Sequence, residues 1–80
     1  MQTEGPFQYL PFPETFLFPA AGSYRSFGIR CVQKRSGQAV CELHDVGLNG
    51  EIIGSLAHRF TLHQLSPLHL RDAVYDFLCL

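Results

Sequence analysis

Residues 27–43 read FGIRCVQKRSGQAVCEL, and this stretch contains two strands and the turn between them. On each side of the turn, apolar residues alternate with polar or small ones, and a period of two predicts β-strands. We therefore expect an antiparallel hairpin over residues 24–45. A three-residue loop, residues 35–37, suits its centre, with Gly37 in the left-handed conformation that glycine adopts without strain.

The register of this hairpin follows from its side chains. The three-residue loop sets three cross-strand pairs: Ile29 with Leu43, Cys31 with Cys41, and Arg30 with Glu42. Apolar residues then share one face of the hairpin, and an ion pair lies on the other, as cross-strand pairing favours. A two-residue turn at Ser36 and Gly37 would shift the pairing by one residue and place charge on the apolar face. The first register is therefore predicted.

Two amphipathic helices follow the hairpin. Asn49 is an expected N-cap for a helix from Gly50 to about Phe60, because apolar residues recur there at helical spacing. Ser66 as N-cap and Pro67 in the first turn predict a second helix that ends near Leu78. The connector is short, so the helices should be neighbours. Strands followed by helices indicate an α+β fold: a small antiparallel sheet of two to three strands, followed by two helices packed on one face.

The first 23 residues combine four prolines with many aromatic side chains. Prolines exclude a stable helix and a long central strand, so only residues 14–18 are expected to form a short edge strand. We predict a proline- and aromatic-rich arm over residues 1–23 and a ββαα domain over residues 24–80. The aromatic side chains either complete the core, form an arm that docks on a partner or makes a dimer, or belong to a disordered segment. Buried aromatics dominate interface energetics, which favours them as contact residues. The candidate partner-binding residues are Phe7, Tyr9, Phe12, Phe16 and Phe18.

The composition limits the partners. The net charge is −1, so the chain lacks the basic surface of a nucleic-acid-binding protein. No stretch approaches the ~20 apolar residues of a membrane span. Three cysteines without a secretory signal predict free thiols in the cytoplasm. Only 16% of residues are charged, and such an apolar chain favours a homo-oligomer or a protein partner that covers its surface.

One pattern has the spacing of a metal site: Cys41 and His44, followed by His58 and His63. Thiolate and imidazole are ligands that zinc prefers. However, residues three apart on a strand point to opposite faces, which separates Cys41 from His44. We therefore favour a buried thiol with surface histidines and keep a small metal-binding or redox module as the alternative. No nucleophile–base motif is present, so we expect no catalytic residue, no cofactor and no enzyme activity.

Two segments of the chain resemble a known family. These are SFGIRCV at residues 26–32 and LSPLHLRDAVYDFL at residues 65–78, with Asp45 at an acidic strand end between them. They are similar to a small domain of unknown function found in short proteins of clostridial-type Gram-positive bacteria, and the likeness covers residues 24–78. The resemblance implies a bacterial cytoplasmic protein and supplies no catalytic residues. The low charge content, the aromatic arm and the absence of a reactive cluster predict a non-catalytic protein that acts by association with itself or with another protein.

Overall fold

The computed structural model describes residues 5–78 and contains three strands followed by two helices. The sheet is antiparallel, with strand order β1-β2-β3, so each strand pairs with its neighbour in sequence. This arrangement confirms the predicted α+β class. The elements are β1 (Phe7–Phe18), β2 (Gly22–Gln33), β3 (Ala39–Gly47), α1 (Gly50–Leu62), a 3₁₀ turn (Pro67–His69) and α2 (Leu70–Leu78).

The predicted register of the β2–β3 hairpin is confirmed. Ile29 pairs with Leu43, Arg30 with Glu42, and Cys31 with Cys41. The loop is one residue longer than predicted, because the Gln33 N–H bonds the Gln38 carbonyl at 2.9 Å and leaves residues 34–37 between them. A bulge absorbs the extra residue, so that Val32 pairs with Ala39. Gly37 has the expected positive φ, 72°.

Strand β1 is longer than the predicted segment of residues 14–18. Its pairing with β2 runs without interruption from Phe7 opposite Gln33 to Phe18 opposite Gly22. Two prolines, Pro11 and Pro13, lie inside it. They cause no break because β1 is an edge strand and the nitrogens of its odd-numbered residues face away from β2, where proline removes no ladder hydrogen bond.

The core lies between one face of the sheet and the two helices. Helix α1 lies mainly on β1 and β2, whereas α2 lies against β3. Because side chains alternate along a strand, the odd-numbered residues of β1 and β2 face the helices. The fully buried apolar residues are Tyr9, Ile29, Cys31, Val46, Ile53, Leu56, Ala57, Leu70 and Val74.

The two helix starts differ. The Asn49 side chain accepts hydrogen bonds from the backbone of Glu51 and Ile52, at 3.0 and 3.3 Å, which confirms the predicted cap of α1. Ser66 makes no side-chain capping bond, and Pro67 begins a single 3₁₀ turn. The second α-helix therefore begins at Leu70 rather than at Pro67. Within residues 5–78, neither helix has the length and hydropathy needed to cross a lipid bilayer.

Candidate interaction surface

The second face of the sheet carries a mixed aromatic and charged surface, here called the open face. It is formed by even-numbered residues of β1, of β2 and of β3 as far as His44, which point away from the helices. The irregular pairing after Leu43 turns Val46 into the core instead. Its members are Leu10, Phe12, Glu14, Phe16 and Phe18 of β1, Tyr24, Ser26, Gly28, Arg30 and Val32 of β2, and Val40, Glu42 and His44 of β3.

Phe12 lies at the centre of the open face, over Gly28. A Cβ atom at position 28 would lie 2.5 Å from Phe12 Cζ and 2.6 Å from the Leu43 carbonyl oxygen, so only glycine leaves room for this ring. The Arg30 guanidinium lies 4.6 Å from the ring centroid, and the His44 imidazole meets the ring edge-on at 5.5 Å. Phe12 thereby joins β1 to β3 across the central strand.

A polar cluster lies beside Phe12, and we call it the polar clasp: Glu14, Tyr24, Ser26, His44 and Asp45. Glu14 bonds His44 Nδ1 with one carboxylate oxygen and accepts the Asp45 backbone N–H with the other, at 2.9 Å. Asp45 accepts hydrogen bonds from the Ser26 and Tyr24 hydroxyls, at 2.7 and 2.9 Å. The backbone of Asp45 is left-handed, with φ 54°. The clasp therefore ties all three strands together.

The clasp favours the charged forms of Glu14, His44 and Asp45 and the neutral form of Tyr24. Desolvation acts to raise the pKa of Glu14, but hydrogen bonds from His44 and the Asp45 backbone outweigh it and lower that pKa. The hydrogen bond to Glu14 raises the pKa of His44. Bonds from Ser26 and Tyr24 lower the pKa of Asp45, and the Asp45 carboxylate raises the pKa of Tyr24. Each ionised group thus has a hydrogen-bond partner inside the cluster.

Beyond the end of β3, the β1–β2 hairpin continues as a two-stranded ribbon, since Gly47 of β3 pairs with Phe27. We call residues 15–25 the ribbon tip. On its open face, Tyr24 stacks with Phe16 at 5.2 Å and with Phe18 at 5.6 Å between ring centroids. Phe18 is 49% exposed, and Leu17, on the other face, is 78% exposed. The ribbon tip therefore presents apolar side chains on both faces.

The five predicted partner-binding aromatics are divided between the two faces. Phe12, Phe16 and Phe18 lie on the open face. Phe7 and Tyr9 face the helices, where Tyr9 is 2% exposed and its hydroxyl donates to the Leu65 carbonyl at 2.6 Å. Burial raises the pKa of Tyr9. Phe7 and Tyr9 are therefore part of the core packing, and Phe12, Phe16 and Phe18 remain on the open face.

The four residues of the metal alternative lie in different surroundings. Cys41 is half-buried, with Sγ 4.0 Å from the Pro67 carbonyl, whereas His44 belongs to the polar clasp. His58 is exposed on α1, and His63 follows the last residue of that helix. Across residues 5–78, no three or more His, Cys, Asp or Glu side chains converge where a metal ion could bind.

Cys31 and Cys41 are free thiols that face each other across the hairpin. Desolvation by burial raises the pKa of both. A raised pKa disfavours the thiolate, which is the reactive form of cysteine. Burial thus favours the neutral thiols of both residues beneath the helices.

An apolar cleft of about 430 Å³ lies between the two helices. Leu56 and Phe60 line it from α1, and Ala73 and Phe77 line it from α2. Its rim carries Arg59, His63 and Asp76, so charges of both signs surround it. The predicted contact between neighbouring helices is thus replaced, in part, by a cleft.

The polar clasp was not predicted from the sequence. Glu14 and His44 are 30 residues apart, and no local pattern connects them. Gly28 was a usable signal, because a glycine inside a strand often marks a close approach of another group. Here that group is the Phe12 ring.

The chain was compared with known proteins at three levels. No protein-family model, curated protein or solved structure is significantly similar to it.

Proposed function

We propose that this chain is a non-catalytic protein that acts by association, and that its contact surface is the ribbon tip with the adjoining open face. One observation carries the proposal. A stacked aromatic trio, Phe16, Phe18 and Tyr24, and the exposed Leu17 lie on a ribbon that neither helix covers. Leu17 is 78% exposed, although leucine favours burial.

The physics of small sheets supports this proposal. An isolated two-stranded ribbon is marginally stable in water and gains stability when its apolar faces are covered. Aromatic side chains also supply large, rigid contact areas, which makes them frequent anchors of binding energy. The ribbon tip combines both features, so contact with another protein would stabilise it.

The surroundings of the tip favour a protein partner. Beside the aromatic trio, the charged side chains Glu14, Arg30, Glu42 and His44 form a polar margin, and Arg30 is already paired with Glu42. Protein interfaces commonly have an apolar centre and a polar rim. The acidic and basic groups of this margin neutralise one another, which favours recognition over acid–base catalysis.

Site-specific photo-cross-linking in the source cells tests the proposal. Benzoylphenylalanine is placed at Phe18, on the ribbon tip, and separately at Tyr75, which is 54% exposed on α2 and serves as a matched control. We expect Phe18 to give a covalent adduct heavier than the single chain and Tyr75 to give none. Equal labelling at both positions, or none at Phe18, would contradict the proposal.

A further inference from the structure

We propose that the ribbon tip pairs with the ribbon tip of a second copy of this chain, through the outward edge of β1 at Thr15 and Leu17. The two three-stranded sheets would then form one six-stranded antiparallel sheet. This inference rests on the proposed function, because it names the partner and the contact for the same surface.

The outward edge of β1 is the side that faces away from β2, and most of it is not free to pair with another strand. The Phe7 and Tyr9 N–H groups donate to Gln64 Oε1 at 3.1 Å and to Thr61 Oγ1 at 2.8 Å. Gln64 Nε2 donates to the Phe7 carbonyl at 2.9 Å, and the Thr61 hydroxyl lies 3.3 Å from the Tyr9 carbonyl. The end of α1 thus takes the place of a neighbouring strand along this part of the edge.

In the next part of the edge, proline prevents pairing with another strand. Pro11 and Pro13 have the same outward orientation as Tyr9, and they have no N–H to offer. Proteins commonly protect edge strands by covering them or by placing proline there, because unpaired backbone groups invite pairing with another chain. Both devices occur in succession along β1.

The protection stops at the ribbon tip. The register of β1 with β2 is constant to Phe18, so Thr15 and Leu17 also direct their N–H and carbonyl groups outward. Within the described part of the chain, neither residue has a hydrogen-bond partner on that side. Pro19 follows the strand directly, so the open window consists of residues 14–18, with a proline at each end.

The open window is complementary to itself. In an antiparallel pair centred on Phe16, Thr15 of each copy exchanges two hydrogen bonds with Leu17 of the other, which satisfies all four outward N–H groups. The next outward positions, Pro13 and Pro19, lie opposite each other in this register and have no N–H to donate, so they end the pairing on both sides. The two Phe16 side chains lie opposite each other on the open face, where aromatic pairs are favourable.

Charge and symmetry also favour a second copy. The window contains one charged residue, Glu14, and the register places it opposite Phe18 of the second copy rather than opposite another carboxylate. The net charge of −1 gives little repulsion between copies. The contact is isologous, which is the commonest way in which proteins form dimers.

Sedimentation velocity of the full chain over a wide concentration range tests the pairing. The double variant Thr15→Pro/Leu17→Pro removes the outward N–H groups and leaves the bonds to β2 intact, as Pro11 and Pro13 already do. We expect a monomer–dimer equilibrium for the unmodified chain and dimerisation weakened about tenfold or more in this variant, because each lost hydrogen bond reduces affinity. The control Thr15→Val/Leu17→Val keeps the N–H groups and should dimerise like the unmodified chain.

A second measurement decides the question even if the proline variant fails to fold. Phe16→Cys places two thiols opposite each other at a non-bonded pair, where antiparallel strands come closest and a disulfide fits. Mild oxidation should cross-link this variant into a dimer. Leu68→Cys, at a residue that is 90% exposed near α2, carries the same native cysteines and should not cross-link above the background of the unmodified chain.

The outcomes separate this inference from the proposed function. A monomer at every concentration, or equal dimerisation of the proline and valine variants, would overturn the pairing. If a photo-adduct with a different protein still formed at Phe18, the association function would stand without it. If Phe18 gave no adduct either, both proposals would fail.

Discussion

At residue scale, the absence of a side chain at position 28 determines how Phe12 packs on the sheet. Gly28 lets the Phe12 ring cross the central strand, and an added Cβ would meet both that ring and the Leu43 backbone. We expect Gly28→Ala to lower the free energy of unfolding by about 1–3 kcal/mol, which is the usual cost of forcing atoms into a filled site. Urea denaturation of the two proteins measures this difference.

Gly54 is the matched control for this prediction. It lies within α1, and a Cβ there would meet only Pro11 Cγ, at an ordinary contact distance of 3.8 Å. Alanine is favoured over glycine inside a helix by about 1 kcal/mol. Gly54→Ala should therefore stabilise the protein, and a loss of stability in both variants would show that the space at position 28 is not special.

Thr61 is the residue on which the closed part of the β1 edge depends. Its hydroxyl accepts the buried Tyr9 N–H and lies 3.0 Å from the Ala57 carbonyl. Thr61→Val keeps the shape of the side chain but leaves that N–H without a partner, and we expect a loss of about 1–3 kcal/mol in stability. Thr61→Ser keeps the hydroxyl and should lose much less. Urea denaturation, with hydrogen exchange of the Tyr9 amide, distinguishes the two variants. Equal losses of stability in both would show that Thr61 acts through packing rather than through its hydroxyl.

At element scale, the polar clasp makes the attachment of β1 to β3 depend on pH. Glu14 has a lowered pKa in the fold, so its contribution is present above its ordinary value of 4.5 and is lost as pH falls through the lowered value. His44 has a raised pKa, so its contribution is present below its ordinary value of 6.5 and is lost as pH rises through the raised value. Both are present between these ordinary values.

We therefore expect the Tm, measured by circular dichroism, to be highest in mildly acidic solution and to decline on both sides. His44→Gln should reduce the decline of the Tm on the alkaline side, because a glutamine does not titrate. The exposed His58 on α1 provides the control, and His58→Gln should leave that decline in place. A profile unchanged by His44→Gln would show that the bond between His44 and Glu14 contributes nothing to the pH dependence of stability.

At the scale of the whole molecule, features set by near neighbours in sequence could be predicted, and features set by distant ones could not. The pairing of Cys31 with Cys41 and the Asn49 cap follow from local rules of alternation and capping. The bond from Tyr9 to Thr61 joins residues 52 apart and depends on how α1 lies across the sheet. The predicted β1 was too short because Pro11 and Pro13 were expected to interrupt a strand. They do not interrupt it because β1 is an edge strand, and an edge position is a property of the assembled sheet.

The same contrast predicts two regions of unequal stability in the molecule. The molecule measures 46 × 31 × 23 Å along its principal axes, and the ribbon tip extends the sheet past β3 and contains no fully buried residue. Regions with few buried contacts open locally at low free-energy cost. In dilute solution, we expect the Phe16 amide to exchange its hydrogen much faster than the Cys31 amide beneath the helices, as NMR would measure.

Concentration then links local stability to assembly. If copies pair at the ribbon tip, exchange at Phe16 must slow as the concentration rises, because binding stabilises the closed form by mass action. The Cys31 amide, which exchanges mainly through global opening, is the internal reference. A Phe16 amide that is protected equally well at all concentrations would mean that the ribbon is stable by itself and needs no partner to cover it.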